Sequence, residues 1–142
     1  MMVRLDTTLL VGAMMIAMAF ISGCGNQRPT PIKVTGTVTY RGQPVQHANV
    51  NFIPKNVRAA SGKTDAQGRF ELMTYEPGDG AIAGEHSVVI AKFSPKPAAD
   101  TASPYPETIS VLPPRYASPL TSELTAQVTS DGPNDFTFEL KP

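Results

Sequence analysis

Beyond residue 31 the chain alternates in twos. Val34, Gly36, Val38 and Tyr40 fall on one face of an extended segment over 32–40, and Thr35, Thr37 and Thr39 fall on the other. That is the period of a half-buried strand. Ala48, Val50 and Phe52 supply the next inward face, ended by Pro54, and Arg41-Gly42-Gln43-Pro44 predicts a turn folding the two strands into a hairpin. The densest signal is Thr64-Asp65-Ala66-Gln67-Gly68-Arg69-Phe70-Glu71-Leu72. Asp65 can close a turn with its own side chain, Gly68 can supply positive φ, and Phe70 and Leu72 then share a face. A short extended piece over 61–65 and a strand over 69–74 are expected to fold back on each other there.

The pattern continues to the end of the chain. Over 85–93, His86, Val88 and Ile90 alternate with Val89, Ala91 and Phe93, so both faces are partly apolar and a central strand is predicted. Leu124, Ala126 and Val128 form another inward face, and Phe136, Phe138 and Leu140 the last, across a turn at Asp131-Gly132-Pro133-Asn134. The segment 94–119 holds seven prolines and few alternations. It is predicted as a long connection, either functional or mobile. No window after the first 23 residues repeats apolar residues at helical spacing without Pro or Gly intervening. About seven short strands therefore predict an all-β, two-sheet sandwich of the Ig-like kind.

The front of the chain is a different material. Sixteen of residues 1–23 are apolar, five of the six methionines lie before residue 19, and all 14 prolines lie after residue 28. Arg4 precedes an almost unbroken apolar run from Leu9 to Ile21, too short for a comfortable permanent span and suited to a signal-peptide core. Ile21-Ser22-Gly23-Cys24 then resembles the bacterial lipobox, which implies a signal peptide over 1–23, a lipidated first mature residue Cys24, and a membrane anchor. Residues 24–31, polar and carrying Pro29 and Pro31, are expected to be a tether, and 32–142 the domain. Gly25 after the cysteine resembles the sorting pattern of outer-membrane lipoproteins, so a lipid-anchored place in the cell envelope is expected. Cys24 is the only cysteine, so no internal disulfide is available to the domain.

With the strands in place, several stretches resemble a known family. Val34-Thr-Gly-Thr-Val38, Arg41-Gly-Gln-Pro-Val45, Ala48-Asn-Val-Asn-Phe-Ile-Pro54, Thr64-Asp-Ala-Gln-Gly-Arg-Phe70 and Gly84-Glu-His-Ser-Val-Val89 resemble the carboxypeptidase regulatory-like domain, a transthyretin-like β-sandwich. Leu112-Pro-Pro-Arg-Tyr116, Thr121-Ser-Glu-Leu124 and Asn134-Asp-Phe-Thr-Phe138 resemble its version in small bacterial surface lipoproteins. The resemblance implies an accessory module without catalytic activity. His86 departs from it, standing where that pattern usually has Tyr.

Candidate chemistry is sparse. Twelve basic and twelve acidic residues leave no net charge, and neither sign forms a run, so a nucleic-acid partner is not supported. His47 and His86 are the only histidines and lack the spacing of a zinc site. Asp65, Asp79, Asp131, Asn134 and Asp135 sit in predicted turns where loops could cluster round calcium, but without EF-hand spacing they read as turn formers. Neither a metal nor a cofactor is expected. Tyr105 and Tyr116, among the prolines of 94–119, are candidates for a recognition loop, with the covering of one sandwich end as the competing expectation. Tyr40-Arg41-Gly42 has the look of the terminal signature of a transthyretin-like hydrolase but sits inside a predicted hairpin. The function expected is a non-enzymatic, lipid-anchored envelope module with a structural or protein-interaction role, its partner an unknown envelope protein or glycan. Carbohydrate or peptide binding, and a transthyretin-like hydrolase, are the alternatives.

Overall fold

The computed structural model describes residues 28–96 and 107–142. The signal segment, Cys24, the first half of the tether and Tyr105 lie outside the described residues. Apart from one 3-10 turn at Pro114–Ala117, the regular structure of the described residues is all strand: β1 Thr35–Tyr40, β2 Gln43–Pro44, β3 Asn49–Pro54, β4 Ala60–Lys63, β5 Arg69–Glu71, β6 Gly84–Ala91, β7 Phe93–Pro95, β8 Thr108–Ser110, β9 Leu124–Val128 and β10 Asp135–Leu140. A strand lies within each of the seven expected segments, but β2, β7 and β8 bring the number among the described residues to ten.

Two four-stranded sheets face each other. In the first, β1 pairs along its whole length with β10, in parallel, while β5 and β2 share its other edge. In the second the order is β4-β3-β6-β9, all antiparallel, so β6 is central as its doubly apolar pattern predicts. Val38, Phe70, Phe138 and Leu140 from the first sheet meet Val50, Phe52, Val88, Ile90, Ala126 and Val128 from the second in one buried cluster. Phe52 lies at its centre, with ring centroids 6.3 Å from Phe70, 5.5 Å from Phe136 and 6.1 Å from Phe138. These spacings are those of favourable tilted and edge-on aromatic pairs.

The first expected hairpin is corrected, while the second keeps its fold-back but spans both sheets. Arg41 and Gly42 take positive φ, as a two-residue I′ turn requires, but the strand that returns is only Gln43–Pro44. The Val45 N–H still donates to the Val38 carbonyl at 3.0 Å, but the Val38 N–H is taken by the Gly68 carbonyl at 2.8 Å, and the pairing ends there. The chain then crosses to the other layer through Val45–Ala48, so β3 pairs with β4 and β6 rather than with β1. The Asp65 turn is also a crossing. Asp65 Oδ1 accepts from the N–H groups of Gln67 (2.9 Å) and Arg69 (2.8 Å), and Gly68 takes the predicted positive φ. The two arms fold back on each other as expected, through the Asp65 N–H to Arg69 carbonyl bond at 2.8 Å and the antiparallel Ser61–Met73 bridge, but β4 belongs to one sheet and β5 to the other. The reason is packing: Leu72 is fully buried, and the crossing places it and Phe70 between the layers.

The connection 94–119 is corrected as well. Its described residues hold β8 and the 3-10 turn, and β8 pairs with β7 to form a separate two-stranded ribbon.

Gly36 sets the closest approach in the core. A Cβ there would stand 2.5 Å from Phe70 Cζ and would clash with the Phe136 carbonyl oxygen, so the Phe70 ring occupies the space a side chain would need. Gly36→Ala is expected to lower stability by about 3 kcal/mol in urea unfolding with the m-value unchanged; a loss below about 0.5 kcal/mol would contradict this packing.

Candidate functional site

The polar side chains that could do chemistry are placed first by the fold. His86, on the inward face of β6, is fully buried beside Phe52, their ring centroids 5.7 Å apart. Its Nε2–H donates to the Ile82 carbonyl at 2.7 Å, which fixes the tautomer, and its Nδ1 has no partner among the described residues. His86 is thus tied to a backbone carbonyl four residues upstream. His47 is exposed, and it sits in the crossing rather than on a strand, with φ of 58°.

The turn acids are occupied by backbone. Asp79 Oδ1 accepts from the Thr74 N–H at 2.6 Å, and Oδ2 from the N–H groups of Tyr75 and Glu76, both at 2.9 Å. Burial pushes its pKa up, but the N–H groups of Thr74, Glu76 and Tyr75 outweigh that and hold the carboxyl below its usual 3.8. Asn134 closes the turn between β9 and β10, its amide accepting from the Thr129 N–H and donating to the Thr129 carbonyl. Asp135 accepts from the Thr35 hydroxyl. Among the described residues no group of three or more potential ligands converges on a metal position.

Tyr116 is buried in the core with Leu112, at the sandwich end the competing expectation assigned to it. Its hydroxyl accepts from the Lys141 N–H at 3.0 Å and from Arg115 Nη2 at 3.2 Å, while Arg115 also donates to the Lys141 and Pro142 carbonyls. Burial disfavours the phenolate, yet the Arg115 and Lys141 hydrogen bonds outweigh it and hold the phenol below its usual value. Tyr116 is a clamp on the last residues, and its ring is not available as an exposed recognition aromatic.

Two surfaces escape sequence reasoning. One is an open groove of about 540 Å³ on the outer face of the second sheet, lined by Asn49, Asn51, Ser61, Gly62, Lys63 and Met73. Asn49 lies opposite Lys63 and Asn51 opposite Ser61, an array of amide, hydroxyl and ammonium groups that can hydrogen-bond a polar ligand. The alternation in 48–54 shows that the asparagines point outward, but only the pairing of β3 with β4 brings them to Lys63. The other surface lies where the described chain begins. Arg28 and Arg58 place their guanidinium carbons 5.9 and 5.6 Å from the Tyr75 ring centroid. Separations of this length along the chain give no sequence signal.

No protein-family model matches the chain, and no curated protein does. One solved structure, a 9R-lipoxygenase from Cyanothece PCC8801, is similar over 80% of this chain and 16% of its own length, at 15% identity and a TM-score of 0.39. A likeness at that level carries no argument about activity.

The Asp79 hydrogen bonds set a pH dependence. A carboxyl whose folded pKa lies below its unfolded value contributes stability that is present above the unfolded pKa, about 3.9, and is lost as pH falls through the folded value. At pH 7, Asp79→Asn is expected to cost about 1 kcal/mol after solvent screening. Thermal melts from pH 7 down to pH 3 are expected to show the gap to wild type closing in the most acid part; a gap constant with pH would contradict the carboxylate's role.

Proposed function

We propose that this chain is a non-enzymatic, lipid-anchored module of the cell envelope with a structural or protein-interaction role, of the carboxypeptidase regulatory-like type, held at the outer membrane through Cys24. The observation that carries it is how the polar side chains are employed. His86 is spent on a core hydrogen bond, and Asp65, Asp79 and Asn134 are spent on turns. A general base needs a proton-accepting atom within reach of a substrate, and His86 is enclosed by Phe52 and its neighbours. The sandwich supports a module whose work is done by its surface.

The anchor rests on the apolar run and Ile21-Ser22-Gly23-Cys24. Two acyl chains of ordinary length bury enough methylene, at about 0.8 kcal/mol each, for stable attachment where a single myristoyl chain is marginal. A second reading, binding of a polar glycan or peptide, is favoured by the outward Asn49 and Asn51 beside Ser61 and Lys63. In cells fed radiolabelled palmitate, the wild-type chain is expected to take up label and Cys24→Ala to lose it; label retained by Cys24→Ala would overturn the anchor.

A further inference from the structure

The registers give the domain two poles. Thr35 pairs with both Glu71 and Asp135, and Ile32 is bridged to Ala81, so the start of β1, the 72–82 loop and the turn before β10 lie at one end. Pro54 pairs with His86 near the start of β6, which brings the 55–59 connection to the same end. Tyr40 pairs with Gln43 and Leu140, and the Gly68 carbonyl accepts from the Val38 N–H, so the Arg41 and Asp65–Gly68 turns mark the other end. The six residues of β1 separate the poles by roughly 20 Å.

The first pole carries Arg28, Arg58 and Tyr75. Tyr75 is held in place by its N–H, which donates to Asp79 Oδ2 at 2.9 Å, and its ring is half-buried beside the two exposed guanidiniums. Among the described residues the ion pairs are Lys33–Glu71 and Lys96–Glu107, and no described carboxylate lies within ion-pair distance of either arginine. Two available guanidiniums beside a tyrosine suit phosphate. Guanidinium forks match phosphate oxygens, and tyrosine partitions to the headgroup layer of a bilayer.

The length of chain ahead of this pole selects the source of the phosphate. Arg28 follows Cys24 by four residues, a stretch that spans at most about 14 Å when fully extended. We infer that the Arg28–Tyr75–Arg58 cluster is a docking surface for the phosphate layer of the membrane to which Cys24 is anchored, so that this pole faces the bilayer and the Asp65–Gly68 pole faces away. The inference rests on the lipid anchor proposed above. The anchor holds the domain close, and the cluster orients it.

The test uses the lipidated chain on vesicles of phosphatidylethanolamine and phosphatidylglycerol. Cys24 is the only native cysteine and is acylated in this account, so an introduced cysteine takes a spin label uniquely. Val57→Cys reports the first pole and Gln67→Cys the second, both being exposed positions. A nickel chelate fixed on lipid headgroups is expected to relax the label at 57 more strongly than the label at 67. In the Arg28→Gln, Arg58→Gln double variant the preference for that orientation is expected to fall about fivefold per guanidinium removed, with flotation on vesicles and melting temperature unchanged. Equal relaxation at both positions, or a stronger effect at 67, in protein that floats overturns the inference while leaving the anchor intact. An unchanged preference in the double variant overturns the role of the arginines. Chain that fails to float with the vesicles contradicts the anchor itself, and the inference falls with it.

Discussion

Phe52 is the point at which the two layers are joined. Its ring meets Phe70 on β5 and Phe136 and Phe138 on β10 of the facing sheet, and His86 on β6 of its own, so the four contacts tie it to three other strands. Phe70 can reach it because Gly36 on β1 has no side chain, so the central strand of one sheet yields space to the core of the other. Without a disulfide available to the domain, this apolar and aromatic interlayer is the main source of its stability. The rest of the molecule is arranged to deliver strands to it.

Delivery falls to polar corners. Thr64 Oγ1 accepts from the buried Ala48 N–H at 2.8 Å, and the Thr64 carbonyl accepts from His47, which fastens the two crossings between sheets to each other. Thr74 donates its hydroxyl to the Gly80 carbonyl while Asp79 gathers the N–H groups of residues 74 to 76. Asn134 stands in for a strand partner at Thr129. Buried backbone that leaves a ladder must find other partners, and these side chains supply them. Thr64, Thr74, Asp79 and Asn134 are therefore engaged in holding the fold.

Fold class was legible in the chain because a strand with one buried face writes its period into neighbouring residues: Val34 and Val38, Val50 and Phe52, and Phe138 and Leu140 all face the core as the alternation predicts. Strand partnership was not. The alternation of 48–54 is the same whether β3 pairs with β1 or with β6, and the choice is made by the crossing through Val45–Ala48, whose partners lie at Thr64. The parallel pairing of β1 with β10 joins Thr35 to Asp135 across almost the whole domain, and no local signal encodes it. For the same reason the turn acids were legible as turn formers, whereas the Arg28, Arg58 and Tyr75 cluster was invisible. Tyr116 was ambiguous in sequence because a tyrosine among prolines suits either an exposed loop or a covered sandwich end; its burial and its bond to Lys141 place it in the second role.

The central claim is that one interlayer core makes both sheets a single cooperative unit. Native-state hydrogen exchange measures this directly, because amides that open only by global unfolding share one free energy. The account predicts that the backbone N–H groups of Val38 in the first sheet and of Phe52 and Val88 in the second exchange at a common free energy equal to that of global unfolding. Two separate plateaus, one for each sheet, would contradict it.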